Sequence, residues 1–124
     1  MTNYLISGVE AGVARFAAAD AEASARSTWG LAVQHVGTPG DGWFTITVRP
    51  VDGPEFSIRI DQEGESISTD GTEAQVAEVA VWARRLLPAE LPGEVWLYDQ
   101  ALSAHKVLDA DLDEAAVWSE WVEH

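Results

Sequence analysis

Two stretches of strict alternation mark the middle of the chain. Phe44, Ile46 and Val48 alternate with Trp43, Thr45, Thr47 and Arg49, and Phe56, Ile58 and Ile60 alternate with Glu55, Ser57, Arg59 and Asp61. A period of two, with β-branched or aromatic residues on one side, is the pattern of a half-buried strand. Breaks fall at Thr38-Pro39-Gly40-Asp41-Gly42, Asp52-Gly53-Pro54 and Glu63-Gly64. Each supplies a Gly for a backbone turn that other residues resist. Residues 31–36 read as a further strand ahead of these two, and residues 66–69 as a short fourth one behind them. The sum is an antiparallel meander with one apolar and one wetted face.

Helical spacing appears on either side of the meander. Ser7-Gly8-Val9-Glu10 has the form of a capping box, and Val9, Val13, Phe16 and Ala17 follow at helical intervals, predicting a helix over 8–27. Thr72-Glu73-Ala74-Gln75 is a second capping box, and Val76, Val79, Ala80, Ala83 and Leu87 form a strong stripe that Pro88 terminates. Pro92-Gly93 resets the chain ahead of strands over 95–98 and 105–108. Asp111-Leu112-Asp113-Glu114 then predicts a last helix carrying Leu112, Ala115, Trp118 and Val122. The expected order is α–β–β–β–(β)–α–β–β–α, an α+β fold with helices packed on one face of an antiparallel sheet. With 124 residues and no repeat or linker, one domain spanning 1–124 is the simplest organisation.

Composition narrows the function more than any motif does. The absence of cysteine removes a disulfide scaffold, a thiolate metal site and a cysteine nucleophile together. The first residues lack a basic segment, and their longest apolar run is Tyr4-Leu5-Ile6, so a cytoplasmic location is expected. Charge is the largest departure from the ordinary. Asp and Glu number 21 against seven Lys and Arg, a net charge of −14. Residues 1–49 hold four of the acids and three Arg, whereas residues 50–124 hold the other 17 against four bases, a net of −13. Such a surface repels nucleic-acid phosphate and anionic lipid, and it attracts a basic protein. The same charge also serves solubility.

Candidate chemistry is sparse. Asp109, Asp111 and Asp113, with Glu120 at the twelfth place, have the spacing of a calcium loop. The sixth place holds Glu114 where that loop needs Gly, and acids also belong at a helix start, so calcium is not expected. His35, His105 and His124 have neither metal spacing nor a partnering nucleophile, and no phosphate-binding glycine loop is present. No cofactor and no catalysis are therefore expected. Six tryptophans remain. Trp82 belongs with the Val76–Leu87 stripe. Trp96 and Tyr98 share one side of their strand, and Trp118 and Trp121 are i,i+3 neighbours with Glu120 and Glu123 beside them. Aromatic rings rimmed by carboxylates are what anchors a basic partner. The candidate partner-binding residues are accordingly Trp96, Tyr98, Asp109, Asp113, Trp118, Glu120 and Trp121.

The segment from Val95-Trp96-Leu97-Tyr98-Asp99 through His105-Lys106-Val107-Leu108 to Trp118 resembles small acidic actinobacterial proteins of the toxin-immunity type. The order of elements is similar to that of small acidic type III secretion chaperones. The first resemblance implies an inhibitor that masks a basic toxin domain. The second implies a protein that holds a client segment and leaves a homodimer open. Neither supplies catalytic residues.

Overall fold

The computed structural model describes residues 3–37 and 43–124. The turn predicted at 38–42 lies outside them. Ten regular elements follow in the order β1 (Tyr4–Gly8), α1 (Ala18–Trp29), β2 (Val33–Gly37), β3 (Phe44–Val48), β4 (Phe56–Ile60), β5 (Ser66–Thr69), α2 (Glu73–Arg85), β6 (Val95–Tyr98), β7 (Ala104–Val107) and β8 (Val122–Glu123). Short 3-10 turns occupy Gly30–Ala32 and Glu114–Ala116. The eight strands form one sheet in the order β2-β3-β4-β5-β1-β6-β7-β8, with every pairing antiparallel. The fold is α+β, as the pattern predicted.

The alternation in β3 and β4 sets the register. Ile46 stands opposite Ile58 and Val48 opposite Phe56, and all four are buried. Ile67, Ile6 and Leu97 continue the same apolar row across β5, β1 and β6. α1 lies against β2 and β3, and α2 against β1 and β5, so both helices cover this face. The capping box of α2 is fully formed: the Thr72 hydroxyl accepts from Gln75 N–H at 3.2 Å, and Gln75 Oε1 accepts from Thr72 N–H at 2.9 Å. Trp82 is buried, with its indole N–H donating to Ser24 Oγ. On the opposite face the Arg59 guanidinium lies 5.1 Å from the centre of the Trp43 ring, a cation–π contact.

The two ends of the chain depart from the pattern. Residues 4–8 form the strand β1, where the capping box predicted a helix start. The Ser7 hydroxyl bonds Gly8 O and Ser66 Oγ across the sheet and caps nothing. The sheet leaves a slot between β5 and β6, and Tyr4-Leu5-Ile6 fills it with hydrogen bonds on both sides. The next residues are a mostly exposed loop from which Val13, Ala14 and Phe16 reach into the core without helical geometry. Phe16 N–H donates to Gly64 O at 2.6 Å. Gly64 has φ +72°, and a Cβ there would stand 2.8 Å from Phe16 O, so this turn requires glycine. The helix itself begins only at Ala18, with no side-chain cap.

The predicted last helix is reduced to the 3-10 turn Glu114–Ala116. Glu120 has φ +60°, which ends any helical path and turns the chain into β8 against β7. The edge of β7 offers unpaired backbone groups, and residues 122–123 satisfy part of that edge. Leu31, expected in a strand, lies in the 3-10 turn and is 98% exposed.

Candidate binding surface

β6 exposes its two sides differently. Val95 and Leu97 point into the core, and Trp96 and Tyr98 lie on the open face, as their alternation predicted. Tyr98 pairs with His105 across the ladder. The His105 imidazole stacks on Trp96 with centroids 3.5 Å apart and planes within 7°. Trp96 in turn donates its indole N–H to Glu94 Oε1 at 3.1 Å. His124 completes the group: its Nδ1 lies 2.9 Å from Leu102 O, and its Nε2 lies 2.7 Å from His105 Nδ1. A carbonyl only accepts, so His124 carries a proton on Nδ1; in its neutral form its Nε2 then accepts from His105 Nδ1–H. Burial, and then the charge of His124, push the His105 pKa below the ordinary histidine value, with Glu94 opposing them.

On the helix side of the same edge, Trp118 and Trp121 stack nearly parallel, with centroids 5.5 Å apart and planes within 4°. Trp118 meets Tyr4 edge-on at 5.4 Å and 73°. The two tryptophans hold their rings through backbone acceptors: Trp118 Nε1–H donates to Glu73 O at 3.0 Å and Trp121 Nε1–H to Val117 O at 2.8 Å. All three tryptophans of this edge thus have their indole N–H groups committed locally. What they present outward is ring surface, already fixed in place.

The acids divide into several tasks. Asp109 lines a cleft of about 530 Å³ together with Glu90, Glu94, Asp111 and the buried Arg84. Arg84 gives that cleft a rigid wall, donating to Leu108 O at 3.0 Å, Pro88 O at 2.9 Å and Ala89 O at 3.0 Å. Asp113 caps the 3-10 turn through Ala116 N–H at 3.0 Å. Glu120 is exposed at the positive-φ turn. Ion pairs among the described residues are Arg15–Glu65, Arg26–Glu22 and Arg49–Glu55, and none uses a carboxylate beyond Glu65. Among the described residues no three His, Asp or Glu side chains converge on a metal-sized position. Asp109, Asp113 and Glu120 serve separate positions along the turn.

The structure therefore splits the predicted set. Trp96 and Tyr98 lie on the open face, Trp118 and Trp121 on the helix side, and Asp109 at the cleft. It adds Tyr4 and Asp99, which the sequence did not mark as site residues, and His105 and His124, which the sequence weighed and set aside. Tyr4 lies far along the chain from the edge it joins, and only the insertion of β1 beside β6 brings it there. His105 and His124 read as isolated histidines until β8 folds back on β7.

No helix among the described residues is long and apolar enough to cross a membrane. No family model, no curated protein and no solved structure matches this chain.

Proposed function

We propose that this chain is a non-catalytic acidic binding protein that masks a basic partner, in the manner of an immunity protein occluding a toxin domain. The observation that carries this reading is the edge formed by β6, β7 and β8. There, tryptophan rings fixed by their own hydrogen bonds stand among carboxylates that have no cationic partner within the described residues. Rings that are ordered before binding lose little freedom when a partner arrives. Unpaired carboxylates speed the encounter with a basic surface, and salt screens them over about 8 Å at physiological strength. The cleft at Arg84 is rimmed by Glu90, Glu94, Asp109 and Asp111, which suits basic side chains better than the apolar client segment of a secretion chaperone.

The test is binding to a purified basic protein encoded beside this chain, followed by stopped-flow at low and high salt. Neutralising Asp109, Asp113 and Glu120 together should slow association and flatten its salt dependence. Trp96→Ala or Trp118→Ala should speed dissociation, with a loss of about 2 kcal/mol at a central anchor. Binding that ignores salt and both sets of substitutions would leave the charge with no role beyond solubility and would overturn the reading.

A further inference from the structure

Tyr4, Asp99, Trp118 and Trp121 line an open hollow of about 310 Å³. Antiparallel pairing of β1 with β6 sets Leu5 opposite Tyr98, and one step further along the ladder brings Tyr4 beside Asp99. Tyr4 lies on the same side of the sheet as Ile6, the helix side. Because both indole N–H groups donate to backbone carbonyls, the hollow is walled by ring faces and edges without an indole donor. Burial raises the pKa of the Tyr4 phenol, and the negative charges of Glu73 and Asp99 beside it raise it further.

Among the described residues Asp99 is the only carboxylate in the lining, and its acceptor positions are nearly all taken. Its Oδ1 accepts from Ser103 N–H at 2.7 Å and Ala104 N–H at 3.3 Å, which uses both lone pairs. Its Oδ2 accepts from the Ser103 hydroxyl, leaving one position free. The Ser103 hydroxyl, ahead of the other contacts, holds the Asp99 carboxyl below the usual carboxylate range, so the charge persists.

We propose that this hollow binds a lysine side chain of a protein partner, its ammonium at Asp99 and its methylene stem along Tyr4, Trp118 and Trp121. The proposal rests on the reading of the chain as a binder of basic proteins and names the group that this part of the surface takes. Aromatic faces carry the negative end of the ring quadrupole and attract a cation. Arginine would bring a planar fork that needs two carboxylate oxygens, and Asp99 has only one acceptor position left. An ammonium is a compact charge that is satisfied by one oxygen and the surrounding rings.

The experiment is a titration of the full chain, ¹⁵N-labelled, with Nα-acetyl-lysine N-methylamide, followed through the six indole N–H signals. The Trp118 and Trp121 signals should shift saturably, while those of Trp29 and Trp82 stay fixed and report an intact fold. The norleucine analogue, of similar shape without the charge, should produce no saturable shift. The arginine analogue should bind more weakly than lysine. Asp99→Asn keeps an oxygen for the same backbone N–H groups and should weaken lysine binding by about 3- to 10-fold; Trp121→Leu should weaken it similarly. Equal shifts from norleucine, equal or tighter binding of arginine, no shift with lysine, or an unchanged affinity in Asp99→Asn would each overturn the proposal. The titration uses no partner protein. Loss of the salt-sensitive partner binding with a positive titration would sink the wider reading and leave the lysine site standing; the reverse result would do the opposite.

Discussion

The sheet has two halves of unlike construction. From β2 to β5 the inner face is apolar and largely buried, the outer face is mostly polar, and each strand pairs with its neighbour in sequence. From β6 to β8 the outer face carries Trp96, Tyr98 and His105, the inner edge carries Trp118 and Trp121, and the strands are short. The first half gains its order from burying area and the second from ring stacking and single hydrogen bonds. Burying apolar area stabilises more than either of these, so the first half should hold the stability and the second should supply surface.

Substitutions can break this contrast or sharpen it. The largest loss is expected in the first half. Ile58 is fully buried opposite Ile46, and Ile58→Ala should cost about 2–5 kcal/mol in denaturant melts. Thr47→Ala, on the outer face of the neighbouring strand, should cost less than about 0.5 kcal/mol. Equal losses at the two positions would refute the register.

The second half also depends on Arg84, a buried polar group of α2. Arg84→Met would leave three carbonyls of the 88–108 region without their donor, and a loss of about 3 kcal/mol is expected from chemical denaturation. A near-neutral result would mean that water replaces the guanidinium.

A smaller effect is expected at the C-terminal stack. Trp118→Ala removes the contacts with Tyr4 and Trp121 and should cost about 1–2 kcal/mol. Hydrogen exchange should then quicken at His105 and Val122 and remain slow at Ile58. Uniform acceleration across the sheet would contradict the division into halves.

Acid should act on the second half. The folded state lowers the pKa of His105, so the unfolded chain binds protons more readily. Stability is then complete above the ordinary histidine value of about 6.5 and declines as the pH falls from there toward the lower folded value. Asp99, also lowered, loses its contribution only at more acid pH, below the ordinary carboxylate value of about 4. The melting midpoint should therefore drop modestly between about pH 7 and 5.5, and His105→Gln should flatten that drop. A midpoint that rises on acidification would contradict the direction of the shift.

Much of the first half was legible because its pairings are local. Alternation at 44–48 and 56–60, turns at Gly, and the box at Thr72–Gln75 each report an environment set within a few residues. The same reasoning misread Ser7-Gly8-Val9-Glu10, where the local capping signal lost to a vacant slot between β5 and β6. It misread residues 111–122 as a helix because Leu112, Ala115, Trp118 and Val122 keep helical spacing. Tertiary contacts to Glu73, Tyr4 and β7 outweighed that weak propensity.

By itself the sequence determined the α+β class, the inward residues of β3 and β4, the helix α2, and the concentration of negative charge in residues 50–124. These depend on periodicity, capping and composition, which act over short distances along the chain. Only the tertiary structure decided that β1 joins the two halves of the sheet and that the predicted aromatics divide between two faces. It alone placed Tyr4 and Asp99 beside Trp118 and Trp121. Those outcomes depend on strand pairing between segments far apart in sequence, and no local pattern carries the energy of a contact whose partner lies elsewhere in the chain.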